Sequence, residues 1–193
     1  MGVSVHPATA DRWNDLVEVF GRRGNDPRWC WCQLFLRPST ARQAAPCDNR
    51  AAFYAEITQA ATPPGLTAYV DDKPAGWTRI GPRSRFPGVI ENRALARVLE
   101  GEGSTTWWVT CFAVARSYRR SGVASALLQG AVEFAREHGA AAVEGHPVDV
   151  AGLRADRVGA SALCTGTKAL FLGAGFVEIA RTSPTRPVMR RAL

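Results

Sequence analysis

Apolar residues recur at the spacing of a helix face in residues 11–20, which predicts a helix after a short strand at 3–5. A second helix is predicted at 48–61, with Asp48 or Asn49 as its cap and Pro63-Pro64-Gly65 as its stop. The β-rich runs 66–70 and 75–80 are separated by a polar turn and predict a hairpin. Helices and strands are therefore mixed from the start of the chain.

The second half continues this alternation around one strongly apolar run. Residues 105–114 are β-rich without polar alternation, which is typical of a strand buried on both faces. An amphipathic helix is predicted between Gly122 and Gly139. The remaining predicted elements are a strand at 140–148, a helix at 165–172 and short strands at 176–180 and 188–189. This order of elements predicts one α/β or α+β domain over residues 1–193.

Composition narrows the class of protein. Of the 193 residues, 46% are hydrophobic and 21% are charged, as in ordinary globular domains. No apolar run approaches the roughly 20 residues of a membrane helix, and the N-terminus lacks the pattern of a secretory signal. We therefore expect a cytoplasmic protein with no membrane partner.

The charge balance favours an anionic partner. Lys and Arg number 24 against 17 Asp and Glu, which gives a net charge of +7, and only Lys73 and Lys168 are lysines. Arginine binds phosphate and carboxylate groups bidentately. The excess of positive charge is compatible with a phosphate-bearing small molecule, a nucleic acid or an acidic surface, and it does not distinguish between these partners.

The cysteines predict reduced thiols rather than disulfides or a metal site. Their odd number, five, comes without a secretion signal. Cys30 and Cys32 have C-x-C spacing with no nearby histidine or second pair, whereas zinc sites usually use C-x₂₋₄-C and four ligands. We expect no metal.

The most informative stretch is the basic turn after the apolar run 105–114. Three arginines precede Gly122, and the small residues Ala124 and Ser125 follow it at the start of a long helix. Unpaired backbone N–H groups and the positive end of the helix dipole make such a start an anion site, and the small residues leave space for a diphosphate. The alternative is a solvated basic turn with a tight glycine connection, because neither common phosphate motif is present.

The segment Arg119-Arg120-Ser121-Gly122-Val123-Ala124 resembles the Arg/Gln-x-x-Gly-x-Gly/Ala signature of the GNAT acyl-CoA N-acyltransferases. Its setting is similar too, after the fourth strand and before the third helix, and the similarity extends from about Leu66 to Phe176. The resemblance implies a single-domain GNAT-like fold with a CoA-binding core at about 66–176. Its mixed central sheet would be flanked by helices and splayed between strands 4 and 5, at Cys111–Val114 and Val143–His146.

The resemblance also implies acetyl-CoA as co-substrate. Backbone groups of Phe112 and Val114 would pair with its pantetheine arm. The backbone amides of Arg120, Gly122, Ala124 and Ser125 would hold the pyrophosphate, and Arg119 and Val123 are the further implied cofactor-binding residues.

The implied reaction is direct transfer of the acetyl group to a primary amine of a small molecule or peptide. An amine needs a base to become the nucleophile. Glu144 interrupts an apolar strand beside the implied gap and is the expected base; His146, on the same face, is an alternate base or relay. The structural alternatives are an arginine partner or an edge position for Glu144, and a surface or capping role for His146 ahead of Pro147.

One position departs from the family pattern. Phe171 stands where many relatives carry a tyrosine that protonates the departing thiolate, and a phenyl ring has no proton to give. The role is either lost or taken over by Cys164, Thr165, Thr167 or water. This departure motivates an alternative function, a catalytically inactive acyl-CoA-binding regulatory module.

Two further segments keep alternatives open. The aromatic segment Trp29–Cys32 is expected either to wall the acceptor pocket or to pack in the core. The tail at 181–191 contains four arginines and no acid, which raises nucleic-acid binding as a third alternative. No helix-turn-helix or finger spacing accompanies it, so this alternative is the weakest. The identity of the amine and the presence of a homodimer are left open.

Overall fold

One mixed β-sheet forms the centre of the structure. This computed structural model describes residues 2–38, 48–99, 105–151, 153 and 162–193. The strands are β1 (Val3–Pro7), β2 (Gly65–Val70), β3 (Lys73–Pro82), β4 (Thr106–Val114), β5 (Ala142–Gly145), β6 (Val177–Ser183) and β7 (Arg186–Ala192). They lie in the order β1-β2-β3-β4-β5-β7-β6, and only β4 and β5 run parallel.

Helices cover both faces of the sheet. They are α1 (Trp13–Phe20), α2 (Asn49–Gln59), α3 (Pro87–Ile90), α4 (Arg93–Ala96), α5 (Val123–Glu137) and α6 (Lys168–Gly173). Within the described ranges, no helix has the length and apolar character needed to cross a membrane. The mixed sheet flanked by helices confirms the predicted fold class.

The two faces can be told apart by strand alternation. Trp107, Val109 and Val143 pack in one hydrophobic cluster with α5. Because successive side chains point to opposite faces of a sheet, Trp108 and Glu144 lie on the other face. That other face is covered by α1, α2, α3 and α4, and we call it the α1–α2 face.

The segment Trp29–Cys32 packs in the core of the α1–α2 face. The Trp31 side chain is fully buried, and its indole Nε1 donates to the Asp26 carbonyl at 3.0 Å. The Cys32 thiol accepts a hydrogen bond from Trp77 Nε1 at 3.1 Å. Core packing, one of the two expectations for this segment, is therefore observed; whether the segment also walls an acceptor pocket stays a prediction.

The thiols within the described ranges are free. They are those of Cys30, Cys32, Cys111 and Cys164, while Cys47 lies outside the described residues. Among the residues that can be described, no group of three or more His, Cys, Asp or Glu side chains is arranged to hold a metal ion.

The strand predicted at 140–148 is shorter than expected. β5 ends at Gly145, shortly before Pro147, which has no N–H to donate to a ladder. The predicted helix at 165–172 begins only at Lys168, because Gly166 has a left-handed backbone and Thr167 caps the helix by accepting from the Leu170 amide at 3.2 Å.

The last strand is much longer than the predicted 188–189. Its arginines interrupt the apolar pattern, yet each has hydrogen-bond partners that keep it in the sheet. The Arg190 guanidinium donates to Glu144, and that of Arg191 donates to Gln129 and to the Ala174 carbonyl. The charged positions therefore belong to the strand rather than to a loop.

β5 pairs with the first part of β4 over its whole length and then ends, while β4 continues. Their pairing runs from Thr106 opposite Ala142 to Val109 opposite Gly145, and β4 continues to Val114 without a β5 partner. This confirms the predicted splay, although Val143 is still paired and the gap opens only after Gly145. We call the gap beside residues 110–114 of β4, where β5 has ended, the parting.

A β-bulge lies at the parting. On the other side of β4, Cys111 pairs with Arg79 of β3 and Val109 pairs with Ile80. Two steps along β4 thus match one step along β3, which leaves Thr110 as the extra residue of a bulge.

Candidate functional site

The turn between β4 and α5 has two residues with a left-handed backbone. Arg120 has φ +64° and Gly122 has φ +85°. Gly122 is the N-cap of α5 and has no side chain to satisfy the first amides of the helix. Turns of this kind let consecutive N–H groups converge on an anion.

The backbone amides of this turn have no protein partner. The first helical hydrogen bond of α5 runs from the Ala126 amide to the Gly122 carbonyl at 3.0 Å. Within the described part of the chain, none of the N–H groups of residues 119–125 donates to a protein acceptor. These donors lie at the positive end of a 15-residue helix, so the local field favours a negatively charged group.

A cavity of about 280 Å³ lies directly over these amides. The predicted residues that line it are Val114, Arg119, Arg120, Gly122, Val123, Ala124 and Ser125, and the structure adds Tyr118. A Cβ placed on Gly122 would meet no atom within 4 Å, so this residue faces open space. Nothing in the sequence singled out Tyr118 as a lining residue.

Phe112, the other residue implied for pantetheine, lies further back along β4. Its ring is 6.3 Å from that of Phe171, and a Cβ on Gly166 would lie 3.1 Å from its Cε2. Phe112 and the segment around Gly166 therefore face each other across the parting.

Glu144 is buried between two arginines. Its side chain is 1% exposed, with Oε2 accepting from Arg83 at 3.0 Å and Oε1 accepting from Arg190 at 2.9 Å. Both carboxylate oxygens are thus engaged. This geometry matches the arginine-partner alternative, and the role of Glu144 as a base stays a prediction.

His146 is held as a neutral ring. Because a guanidinium can only donate, Nδ1 accepts from Arg186 at 3.4 Å, and Nε2 carries the proton toward Thr182 Oγ1 at 2.7 Å. Burial, together with the charge of Arg186, lowers the pKa of His146 to about 4. The ring is neutral at pH 7 with both nitrogens engaged, and its role as a base or relay stays a prediction.

Phe171 has its ring fully buried, packed 4.9 Å from the ring of Phe176. Of the three residues considered in place of a tyrosine, Thr167 caps α6 and the Thr165 hydroxyl accepts from Arg186 at 3.1 Å. Burial raises the pKa of Cys164 to about 11, so its thiol keeps its proton at neutral pH.

Thr110, at the bulge, is a candidate site residue that no sequence pattern indicated. This residue is 1% exposed, and its Oγ1 is buried without a hydrogen-bond partner among the described residues. A buried hydroxyl without a partner costs free energy, so a ligand that accepts a hydrogen bond from it would be stabilised. Thr110 lies inside the apolar run, where composition carries no signal for a polar role.

A buried ion pair on the α1–α2 face was also missed. Glu56 accepts from both terminal nitrogens of Arg79 at 2.7 Å, and from Arg85 at 3.3 Å. The Arg79 side chain is 1% exposed. In the sequence, Glu56 looks like an ordinary solvent-facing residue of a helix, so no local pattern indicated this pair.

Solved structures of several acetyltransferases share this fold. The GNAT domain of PAT from S. lividans aligns with a TM-score of 0.57 at 17% identity, covering 99% of this chain and 90% of that one. The diaminobutyrate acetyltransferase EctA from Paenibacillus lautus, solved with L-2,4-diaminobutyric acid and coenzyme A, aligns with a TM-score of 0.52 at 15% identity over 99% and 95%. yncA from Salmonella typhimurium, a putative acetyltransferase solved with acetyl-CoA, aligns with a TM-score of 0.55 at 12% identity over 100% and 95%.

Sequence comparison with curated proteins finds no match. The profile of the acetyltransferase (GNAT) family, however, matches residues 28–157, which is more than half of the chain and includes β4, the turn and β5. The parted sheet and the open amides at the start of α5 agree with that match, and the chain belongs to the GNAT acetyltransferase family.

Proposed function

We propose that this protein is an N-acetyltransferase that moves the acetyl group of acetyl-CoA directly to a primary amine of a small molecule or peptide. The observation that carries the proposal is the run of unpartnered amides at 119–125, which lines a cavity of about 280 Å³. A row of donors at a helix start suits a diphosphate. Solved relatives of this fold contain coenzyme A or acetyl-CoA, which supports the same ligand here.

The pyrophosphate of acetyl-CoA would bind these amides, with Arg119 and Arg120 adding positive charge. The pantetheine arm would follow β4 from Val114 toward Phe112, where no strand pairs with β4 on the β5 side. The thioester would then lie near Thr110. We propose that the Thr110 hydroxyl, which has no protein partner, donates to an oxygen of the bound acetyl-CoA.

The acceptor must lose a proton before or during attack. An amine with a lysine-like pKa of about 10.4 is neutral in only about one molecule in 2,500 at pH 7. Glu144 immediately precedes the last β5 residue paired with β4 and remains the proposed base, with His146 as the alternate. Arg83 and Arg190 surround Glu144 with positive charge, so its catalytic role needs a direct test.

The alternative function is an acyl-CoA-binding module without catalysis. The fully buried Phe171, at the position of the usual tyrosine, is the observation that favours it. Turnover separates the two functions: release of free CoA when amines are added supports the enzyme, and binding of acetyl-CoA without release across a broad amine panel supports the module.

The first prediction concerns Gly122. Replacing it by valine fills the space over the amides, and losing one charge-assisted hydrogen bond of about 1.5–3 kcal/mol weakens acetyl-CoA binding by about tenfold or more. Gly139, at the other end of α5, has φ +74° and no atom within 4 Å of a Cβ, so Gly139→Val carries the same backbone strain away from the cavity. Calorimetric titration should show the loss of affinity in Gly122→Val alone. Unchanged affinity in that variant would count against the whole site.

The second prediction concerns Thr110. Thr110→Val keeps the shape of the side chain but removes a buried hydroxyl without a partner, so the free energy of unfolding stays equal or rises by about 1–3 kcal/mol. Turnover with the best amine falls by about tenfold because a donor is lost. Thr110→Ser, which keeps the hydroxyl, retains more activity.

Thr67 on β2 supplies the matched control for Thr110. It is fully buried, its Oγ1 also has no partner within the described ranges, and its strand lies two strands away from β4. Thr67→Val should show the same change in unfolding without the loss of turnover, measured by thermal melts and by CoA release. Full activity in Thr110→Val would rule out the proposed role.

The third prediction concerns Glu144. Glu144→Gln lowers the melting temperature, because removing one partner of a buried ion pair typically costs about 3–5 kcal/mol. If Glu144 takes the proton, turnover falls strongly at pH 7 and less at high pH, where the amine deprotonates itself. Glu56→Gln disrupts a similar carboxylate held by two arginines, and controls for the loss of stability. An equal loss of turnover at every pH would show that Glu144 acts only through its ion pairs and not as a base.

A further inference from the structure

Among the described residues, four arginines share two carboxylates on the α1–α2 face beside the parting. The pairs are Arg79 and Arg85 on Glu56, and Arg83 and Arg190 on Glu144. A face with this balance attracts anions and repels polycations.

A fifth arginine on this face has no carboxylate partner among the described residues. Arg186 opens β7 and has the same strand parity as Val188, which packs with Trp108, and as Arg190, which binds Glu144. Arg186 NH1 donates to the Thr165 hydroxyl at 3.1 Å, and NH2 donates to His146. These two partners use two of the five N–H donors of the guanidinium.

Neutral groups hold Arg186 in place. His146 Nε2–H donates a hydrogen bond to the Thr182 hydroxyl, which in turn donates to the Arg186 carbonyl at 3.3 Å. The other titratable neighbour, Cys164, keeps its proton at neutral pH. The guanidinium is partly buried, and burial lowers its pKa, yet no described neighbour offers a compensating negative charge.

Arg186 lies at the end of the parting where the acetyl group would arrive. His146 directly follows the last β5 residue paired with β4, and Thr165 precedes Gly166, which faces Phe112 of β4. A positioned cation with free donors at this place suits a substrate anion, and guanidinium groups bind carboxylates bidentately.

We propose that Arg186 binds a carboxylate of the acceptor, so that the acceptor is an amine of the amino-acid type rather than a polycationic amine. This inference rests on the proposed function and names its substrate class. The carboxylate would compensate the charge of Arg186, while the amine of the same molecule points toward the thioester.

The test compares amines in matched pairs. Free L-amino acids are assayed against their carboxamides, with spermidine as the polycation, and CoA release gives kcat/KM for each. The carboxamide lacks only the negative charge and has the less basic amine, so amine reactivity alone would favour it. For each amino acid that is acetylated, we expect kcat/KM to exceed that of its amide by about tenfold or more, which corresponds to the free energy of one charged hydrogen bond.

Substitutions assign that preference to Arg186. Arg186→Gln should abolish the difference between acid and amide, chiefly through KM, and Arg186→Lys should retain part of it. Arg191→Gln is the matched control, because it removes the same charge from the same strand but from the opposite face, where Arg191 contacts Gln129. The preference should survive in Arg191→Gln.

The outcomes separate this inference from the proposed function. Failure of the wild-type protein to bind acetyl-CoA in calorimetry would refute the proposed function. Two outcomes would refute only the acceptor class. In the first, acetyl-CoA binds normally, but the amides or spermidine are acetylated as well as the acids. In the second, the preference for the acids over their amides persists in Arg186→Gln. If no amine in the panel turns over, calorimetric binding of amino acids to the CoA complex decides: binding that Arg186→Gln abolishes supports the inference, and absence of binding overturns it.

Discussion

The site depends on hydrogen bonds that the protein does not make with itself. The first N–H groups of any α-helix have no partner within the helix. Here β4 loses its β5 neighbour after Val109, and no acceptor among the described residues satisfies the amides of residues 119–125. One continuous strand, turn and helix thus presents donors and acceptors along a single path, and a long ligand with a diphosphate at one end matches that path.

Local features of this path could be predicted from the sequence, because they depend on neighbours in the chain. Gly122 needs a left-handed backbone that glycine adopts without strain, and the apolar spacing after it specifies the buried side of α5. The resemblance of 119–124 to a known signature added the ligand and the splayed sheet. The bulge at Thr110 could not be predicted, since it depends on the register between β3 and β4.

The contacts of Glu144 and Arg186 could not be predicted from the sequence, because they join distant parts of the chain. The partners of Glu144 lie 61 and 46 residues away, at Arg83 and Arg190. A carboxylate in an apolar strand looks the same in sequence whether it is an isolated base or half of an ion pair. In the sequence Arg186 is only one arginine of a basic tail, because its neutral neighbours come from distant places: the residue after β5, the strand β6 and the segment before α6.

The strand order has a consequence for how the site is assembled. β7 inserts between β5 and β6 although it follows both in the chain. It supplies Arg190 to Glu144 and carries Arg186, so both arginines join the α1–α2 face only when β7 is inserted. Without β7, Arg83 is the one described residue that forms an ion pair with Glu144, so burial of this carboxylate is energetically coupled to insertion of the last strand.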